Sequence, residues 1–345
     1  MGNGNVFIQR EVIFIQKKKG QLLRWIFVIA LIAVIVYTFR DSAGPILREL
    51  LQTPAWVVAG ISAAAVCYHL AEGWITRSFA RVYQPDFTYA AGVESAFYCS
   101  FYRVATLGSG AGVAAVYYFN EKGIAPSKGT GMYMMEYVVH KLSLALFSIL
   151  FFLLDFSFMR QHFSEYLVYL VGGYVLTLLV AAGLILSCCS KKLHKGVLWL
   201  AARFNRRGRL DEKIAKLQEQ CQILEGATAD FMKNKRLLIA SVGKNLLKFA
   251  CYYGIPYLIL HRETELSLIH VWAVTSVAIM LAAVMPAPAG IGSSEFMFTA
   301  MYTVLTDTAE AGSAALLYRF ATFVLPFLIG SVVVVAGRFK KRRIT

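Results

Sequence analysis

The chain of 345 residues is 58% hydrophobic and 16% charged, and carries a formal net charge of +15 at pH 7. Apolar segments this long and this evenly spread exclude an ordinary soluble domain and describe a polytopic membrane protein. The basic residues fall between the apolar stretches, where retention of positive loops on the inner side and contact with anionic lipid account for them, so nucleic acid is not the expected partner.

Met1-Gly2 opens like a myristoylation site, but Val6 stands where Ser or Thr is needed. Lys17-Lys-Lys19 precedes an apolar run with no small-residue cleavage site after it, so the run reads as a retained first span. In chain order the expected spans are 22–39, 54–73, 132–154, 166–187, 237–260, 268–285 and 314–337, each near the ~17 to 25 residues that cross a hydrocarbon core. Two glycine-rich breaks interrupt this series: Leu107-Gly-Ser-Gly-Ala-Gly112, and Pro286-Ala-Pro-Ala-Gly-Ile-Gly-Ser-Ser-Glu295. Lipid cannot hydrogen-bond the backbone groups that such breaks release, so they belong where protein or a polar cavity surrounds them, and they point to a substrate path.

Seven plain spans would put the two basic termini on opposite sides. Placing both termini in the cytoplasm requires residues 89–119 to enter and leave from the inner side, and 286–306 to return the chain to the outer face. The inner segments then hold 25 of the 35 Lys and Arg residues and the outer loops four, a bias that supports this orientation. The predicted fold is all-α: about seven to eight spans plus two broken or re-entrant helical elements. Residues 1–187 and 237–345 form two halves related as an inverted repeat, with a binding site between them. The segment 188–236 joins the halves as a basic cytoplasmic stretch. In it, Leu210, Ile214, Leu217, Cys221 and Leu224 recur at helical spacing, which predicts an amphipathic helix serving either as a surface element or as a regulatory contact. The six cysteines show neither a disulfide framework nor zinc spacing, and no metal or cofactor is expected.

Charge inside a bilayer is costly, so ionisable residues in apolar segments normally have a partner or a task. Glu94 and Arg103 flank the first break; Glu295 ends the second, and Arg319 lies in the following span. A planar guanidinium offers parallel donors to phosphate oxygens, so Arg103 and Arg319 are candidate headgroup ligands, with the carboxylates holding a cationic group. Simple helix-locking ion pairs are the competing reading. Glu136, His140 and Lys141 share one span; Glu136 is either a ligand or the partner of His140, four residues on. His69 and Glu72 read as a structural pair, and Lys244 and Lys248 as snorkelling or phosphate-binding lysines. Ser109, Ser293 and Ser294 border the breaks, where exposed amides and hydroxyls suit an anion or satisfy the freed backbone. Gly108, Gly110, Gly112, Pro286, Pro288, Gly290 and Gly292 are expected to supply the hinges and close approaches.

Arg103 leading into Gly108-Ser-Gly-Ala-Gly112, Glu136 on the next span, Pro286-x-Pro-x-Gly-Ile-Gly-x-x-Glu295 and Leu316-Leu-Tyr-Arg319 together resemble the lysylphosphatidylglycerol synthase transmembrane-region family, over nearly the whole chain. The resemblance implies a bacterial cytoplasmic-membrane protein, related to the flippase half of the multiple peptide resistance factor, that moves phosphatidylglycerol or an aminoacylated form from the inner to the outer leaflet. By motif it marks Arg103, Glu136, Glu295 and Arg319. Two departures stand out. A soluble synthase domain follows the membrane part in full-length resistance factors, where this sequence ends in Arg338-Phe-Lys-Lys-Arg-Arg-Ile-Thr345; and Tyr137 occupies a position where the family often has arginine.

The expectation is therefore a translocase without covalent chemistry of its own, acting on an anionic or aminoacylated phospholipid. A separate lipid-modifying synthase and a second copy of the chain are its candidate partners. An ion-coupled transporter of a soluble substrate and an integral-membrane transferase acting on a lipid-linked substrate are the alternatives. Direct use of ATP is not expected, because no Gly-x-x-x-x-Gly-Lys-Ser/Thr loop occurs.

Overall fold

The computed structural model describes residues 33–34, 37–38, 40–205, 211–261, 264–283, 285, 287 and 292–342. The expected first span, 22–39, falls almost wholly outside them, as do Pro286, Pro288 and Gly290. All described regular structure is helical, and three helices are long and apolar enough to cross a membrane: Ala55–Ala80, Pro126–Leu154 and Thr308–Gly337.

The elements run α1 (Ala43–Gln52), α2 (Ala55–Ala80), α3 (Tyr89–Ala105), α4 (Ala111–Glu121), α5 (Pro126–Leu154), α6 (Phe156–Phe163) and α7 (Leu167–Cys189). They continue as α8 (Lys191–Phe204), α9 (Asp211–Met232), α10 (Lys235–Tyr253), α11 (Ile255–Leu260), α12 (Leu268–Ala282), α13 (Ser293–Tyr302), α14 (Thr308–Arg319) and α15 (Leu325–Arg342). Their starts follow local capping chemistry. Thr88 accepts from the Ala91 amide, Asn234 from Leu237 and Asp307 from Glu310, while Ser267 and His270 form a reciprocal capping box. Pro126 opens α5, where its missing N–H costs nothing.

Two expected spans are interrupted. The 237–260 segment breaks at Gly254 into α10 and α11, because Pro256 has no amide to continue the ladder. The Ala250 carbonyl there accepts from both the Gly254 amide and the Trp272 indole. The last span starts earlier than expected, at the Asp307 cap, and passes through a π-helical turn at Phe320–Val324 just before Pro326. A proline removes one regular helical bond, and a π turn is one way to absorb the loss.

Residues 89–119 fold as a helical hairpin, α3 and α4 packed together across the first break. At its open end Gly123 lies beside the Gln84 side chain. α3 is held on two sides by glycines. A Cβ at Gly92 or Gly73 would strike the backbone of the facing helix where α2 meets α3, and a Cβ at Gly330 would strike the Phe97 carbonyl where α15 meets α3. Phe101 and Phe327 stack alongside that second contact, with ring centroids 5.5 Å apart.

The buried apolar side chains form two clusters at opposite ends of α2 and α5. One contains Val57, Ile61, Leu144 and Phe147 with the buried faces of α10 to α14; the other contains Ile75, Phe79, Met132, Met135 and the α3–α4 hairpin. Of the polar residues of the site below, His69 and Glu72 on α2 and His140 and Lys141 on α5 lie between the two patches, and Thr76, Tyr133 and Glu136 lie alongside the second cluster.

The amphipathic prediction for 210–224 corresponds to α9; Leu210 and the Leu224 side chain fall outside the described residues. Cys221 and Phe231 are buried. Phe231 packs on Phe79, and the Tyr83 hydroxyl donates to Asp230 at 3.3 Å. Burial and the Asp230 carboxylate push the Tyr83 phenol up to about 12, so it keeps its proton and this contact at neutral pH. α9 is therefore docked on the end of α2 through its C-terminal turn.

Candidate functional site

Polar residues recur at helical spacing on three helices and converge. His69, Glu72 and Thr76 lie along α2, Tyr133, Glu136 and His140 along α5, and Ser241, Asn245 and Lys248 along α10. All of these except Ser241 line a cavity of about 480 Å³, which Arg103 and Cys99 of α3 enter from another side. Both glycine-rich breaks contribute to its wall: Gly108 and Ala111 from the first, and Ala287 from the second with Met285 just before it.

The first break is shaped by its backbone. α3 ends at Leu107 and Gly108, with φ of 50° and 94°, and the Gly108 amide turns back to donate to the Arg103 carbonyl at 2.7 Å. This is a left-handed helix ending that Gly108 adopts without cost and that is strained for Leu107. It sets Arg103 in the last turn of α3 with its side chain exposed on the cavity.

Lys248 is 1% exposed, and its Nζ lies 2.5 Å from Glu72 Oε2 and 3.0 Å from His140 Nδ1. It is thus neither snorkelling nor reaching lipid: the Glu72 carboxylate takes its charge. Its contact with His140 requires Nδ1 to be the unprotonated nitrogen, since a lysine ammonium only donates. Glu136 does not pair with His140. Its Oε1 accepts from the Thr76 hydroxyl at 2.6 Å, and His69 bonds to Ser100 and the Ala65 carbonyl instead of Glu72. Helical spacing puts two residues on one face, but the neighbouring helix supplies the better partner in each case.

With Glu72 and Lys248 balanced, the remaining charges facing the cavity are two cations, Arg103 and Lys141, and one carboxylate, Glu136. Lys141 lies over the Tyr137 ring at 5.4 Å, and among the described residues no carboxylate is within ion-pair distance of Lys141 or Arg103. A cavity of this composition suits an anionic group, with Glu136 and the tyrosine hydroxyls available to hydroxyl or ammonium donors.

Glu295 and Arg319 are brought together with each other and not with this cavity. Glu295 Oε1 forms an ion pair with Arg319 Nη1, while Oε2 accepts from the Gly292 amide and the Ser294 hydroxyl, each at 2.9 Å. Glu295 therefore caps α13 and ties it to α14 in one step. Gly292 has φ 84°, and Ser293 is buried in the first turn of α13. Glu94, Ser109 and Gly110 line a separate groove of about 690 Å³ bounded by α3, α4 and α15. Gly112 faces Tyr133, where any Cβ would crowd the ring.

Thr76, Tyr133 and Asn245 were not singled out among the sequence candidates. Their signal is the polar stripe at i, i+3, i+7 on α2 and α5 and at i, i+4, i+7 on α10, on helices otherwise read as spans. It is weaker than a charged residue's signal because a lone hydroxyl or amide in an apolar helix most often bonds its own backbone.

The sequence model of the family described as Lysylphosphatidylglycerol synthase TM region matches residues 24–330. Among curated proteins none matches the chain.

Proposed function

The chain belongs to the lysylphosphatidylglycerol synthase transmembrane-region family, and from that premise we propose that it is a lipid translocase whose headgroup site is the cavity between α2, α3, α5 and α10. The observation that carries this reading is the pair of cations, Arg103 and Lys141, with no carboxylate partner among the described residues, in a cavity walled by both breaks. Arg103 holds the phosphate through its planar guanidinium, and Lys141 adds a second positive charge. Glu136 takes the hydroxyls of a glycerol head or the ammonium of an aminoacyl one. His140 keeps Lys248 in place behind them. Glu295 and Arg319 act on the shape of the second break, and the serines beside the breaks satisfy backbone that lipid cannot.

In this proposal residues 1–187 and 237–345 are two halves of an inverted repeat in a bacterial cytoplasmic membrane, with both termini and the 188–236 linker on the cytoplasmic side. The headgroup crosses between the halves while its acyl chains stay in lipid, and the chain makes and breaks no covalent bond. A separate synthase would supply aminoacylated substrate.

Leaflet-resolved assays in reconstituted vesicles test it. Arg103→Ala is expected to slow transfer of every phospholipid roughly ten- to a hundredfold, the loss of one hydrogen-bonded charge contact, because all of them share the phosphate. Glu136→Gln should slow lysylated phosphatidylglycerol more than the unmodified lipid. Undiminished transfer by Arg103→Ala would remove this cavity as the headgroup site.

A further inference from the structure

The groove between α3, α4 and α15 is separate from the cavity assigned to transport, and its walls are built at helical spacing. Glu94, Tyr98 and Tyr102 follow one another at every fourth residue of α3, and Val333 and Val334 of α15 close the apolar side. The Tyr98 ring lies 4.9 Å from Tyr102 and 5.5 Å from Tyr118. At the end away from the hairpin turn, the Tyr118 hydroxyl donates to Glu94 Oε2 at 2.7 Å. Lys122 Nζ stands 3.5 Å from the same oxygen and 5.1 Å over the Tyr118 ring. An ammonium is thus already seated against a carboxylate and an aromatic face, the two features by which proteins recognise ammonium groups.

The Lys122 and Glu94 side chains are 38% and 40% exposed, and an ion pair so open to its surroundings exchanges partners at little cost. We propose that this groove binds a membrane lipid with an ethanolamine-type zwitterionic head. Its ammonium replaces Lys122 at Glu94 and Tyr118, and its phosphate takes the released Lys122. An adjacent carboxylate and ammonium are the mirror image of a head whose own ammonium and phosphate are two carbons apart, so the exchange trades one ion pair for two and leaves the net charge unchanged. The apolar length of the groove receives an acyl chain. A choline head has no N–H for Glu94, and a glycerol head has no cation.

Native mass spectrometry of the purified full chain, titrated with ethanolamine, choline and glycerol phospholipids of identical acyl chains, tests the assignment. The ethanolamine lipid should bind about tenfold more tightly than either other, and an analogue with a photoreactive tail should label 113–117. Glu94→Gln should bring it down to the level of the choline lipid, while Arg103→Ala, in the transport cavity, should leave the preference intact. Equal binding of the three lipids, or a preference that survives Glu94→Gln, overturns the proposal. Loss of the preference in Arg103→Ala would place the lipid in the transport cavity and overturn it too. Should Glu94→Gln fail to fold, Lys122→Gln decides: all three lipids carry the phosphate, so the variant leaves Glu94 free for the ammonium and should keep or widen the preference with 113–117 still labelled, and loss of the preference overturns the proposal.

Discussion

Lys248 is the side chain whose role changes most between sequence and structure. A lysine near the end of an apolar segment is expected to reach for the interface, yet here it is 1% exposed and held by Glu72, which lies 176 residues earlier in the chain. Nothing in the local sequence around either residue announces the other; only the packing of α2 on α10 does. Removing one member of a buried pair leaves the other charged and unpaired, which costs about 3–5 kcal/mol, whereas replacing both by apolar residues of similar size is close to neutral. Lys248→Met should therefore lower the thermal midpoint of the detergent-solubilised protein sharply, and the Glu72→Leu/Lys248→Met double variant should recover most of the loss. A double variant no better than the single one would mean that His140 and the rings of Tyr68 and Phe249, not Glu72, stabilise the ammonium. A charge next to a break marks Arg103, which faces the cavity, but it marks Glu94 and Glu295 equally, of which the first lies in a separate groove and the second on Arg319. A role that depends on a distant partner is harder to read: spacing sets Glu72 beside His69 and leaves Glu136 as either a ligand or the partner of His140, whereas Lys248 and Thr76 are the partners found.

At the scale of the helices, apolar length located α2, α5, α7 and α12 closely, because burial in lipid or protein imposes one continuous pattern. The interruptions were less legible. The breaks at Gly108 and Gly292 are visible as glycine clusters and have positive φ there, but the bend at Gly254 and the π turn at Phe320–Val324 arise from single prolines in otherwise continuous runs. Gly92 was not marked by sequence at all. Its importance is steric, since a Cβ there would strike the backbone of α2 at Gly73. Gly92→Val should separate the two helices and displace Arg103, and Gly73→Val should do the same from the other side. Both variants are expected to lose about 1–3 kcal/mol through overpacking, read as a lower melting temperature, and to lose lipid transfer. A variant that keeps wild-type stability would show that the helices can slide apart, and the rigid placement of Arg103 on α3 would no longer hold.

The whole molecule is arranged as two apolar clusters with a polar layer between them, and the α2 and α5 helices run through all three. That arrangement explains why Glu72, Glu136, His140, Lys141 and Lys248 are tolerated in apolar segments: they face one cavity, while Glu295 and Arg319 are tolerated as a pair apart from it. It also bears on how the chain is threaded. Because α3 and α4 pack as a hairpin with Gly123 beside Gln84, the two ends of the 89–119 segment lie on one face of the molecule. At the second break the return partner is α12: α13 packs back on it, with the Thr275 and Tyr302 hydroxyls 2.7 Å apart, and then leads through a turn into α14, whose cap is Asp307. Single cysteines placed at positions 86 and 122 of a cysteine-free chain should therefore both react with an impermeant thiol reagent from the cytoplasmic side, and one at position 309 only from the outside. If 86 and 122 react from opposite sides, the hairpin crosses the bilayer. Gly108 and Ala287 would then not enter the cavity from opposite leaflets, and the transport proposal would lose the symmetry that lets one headgroup be reached from each side in turn.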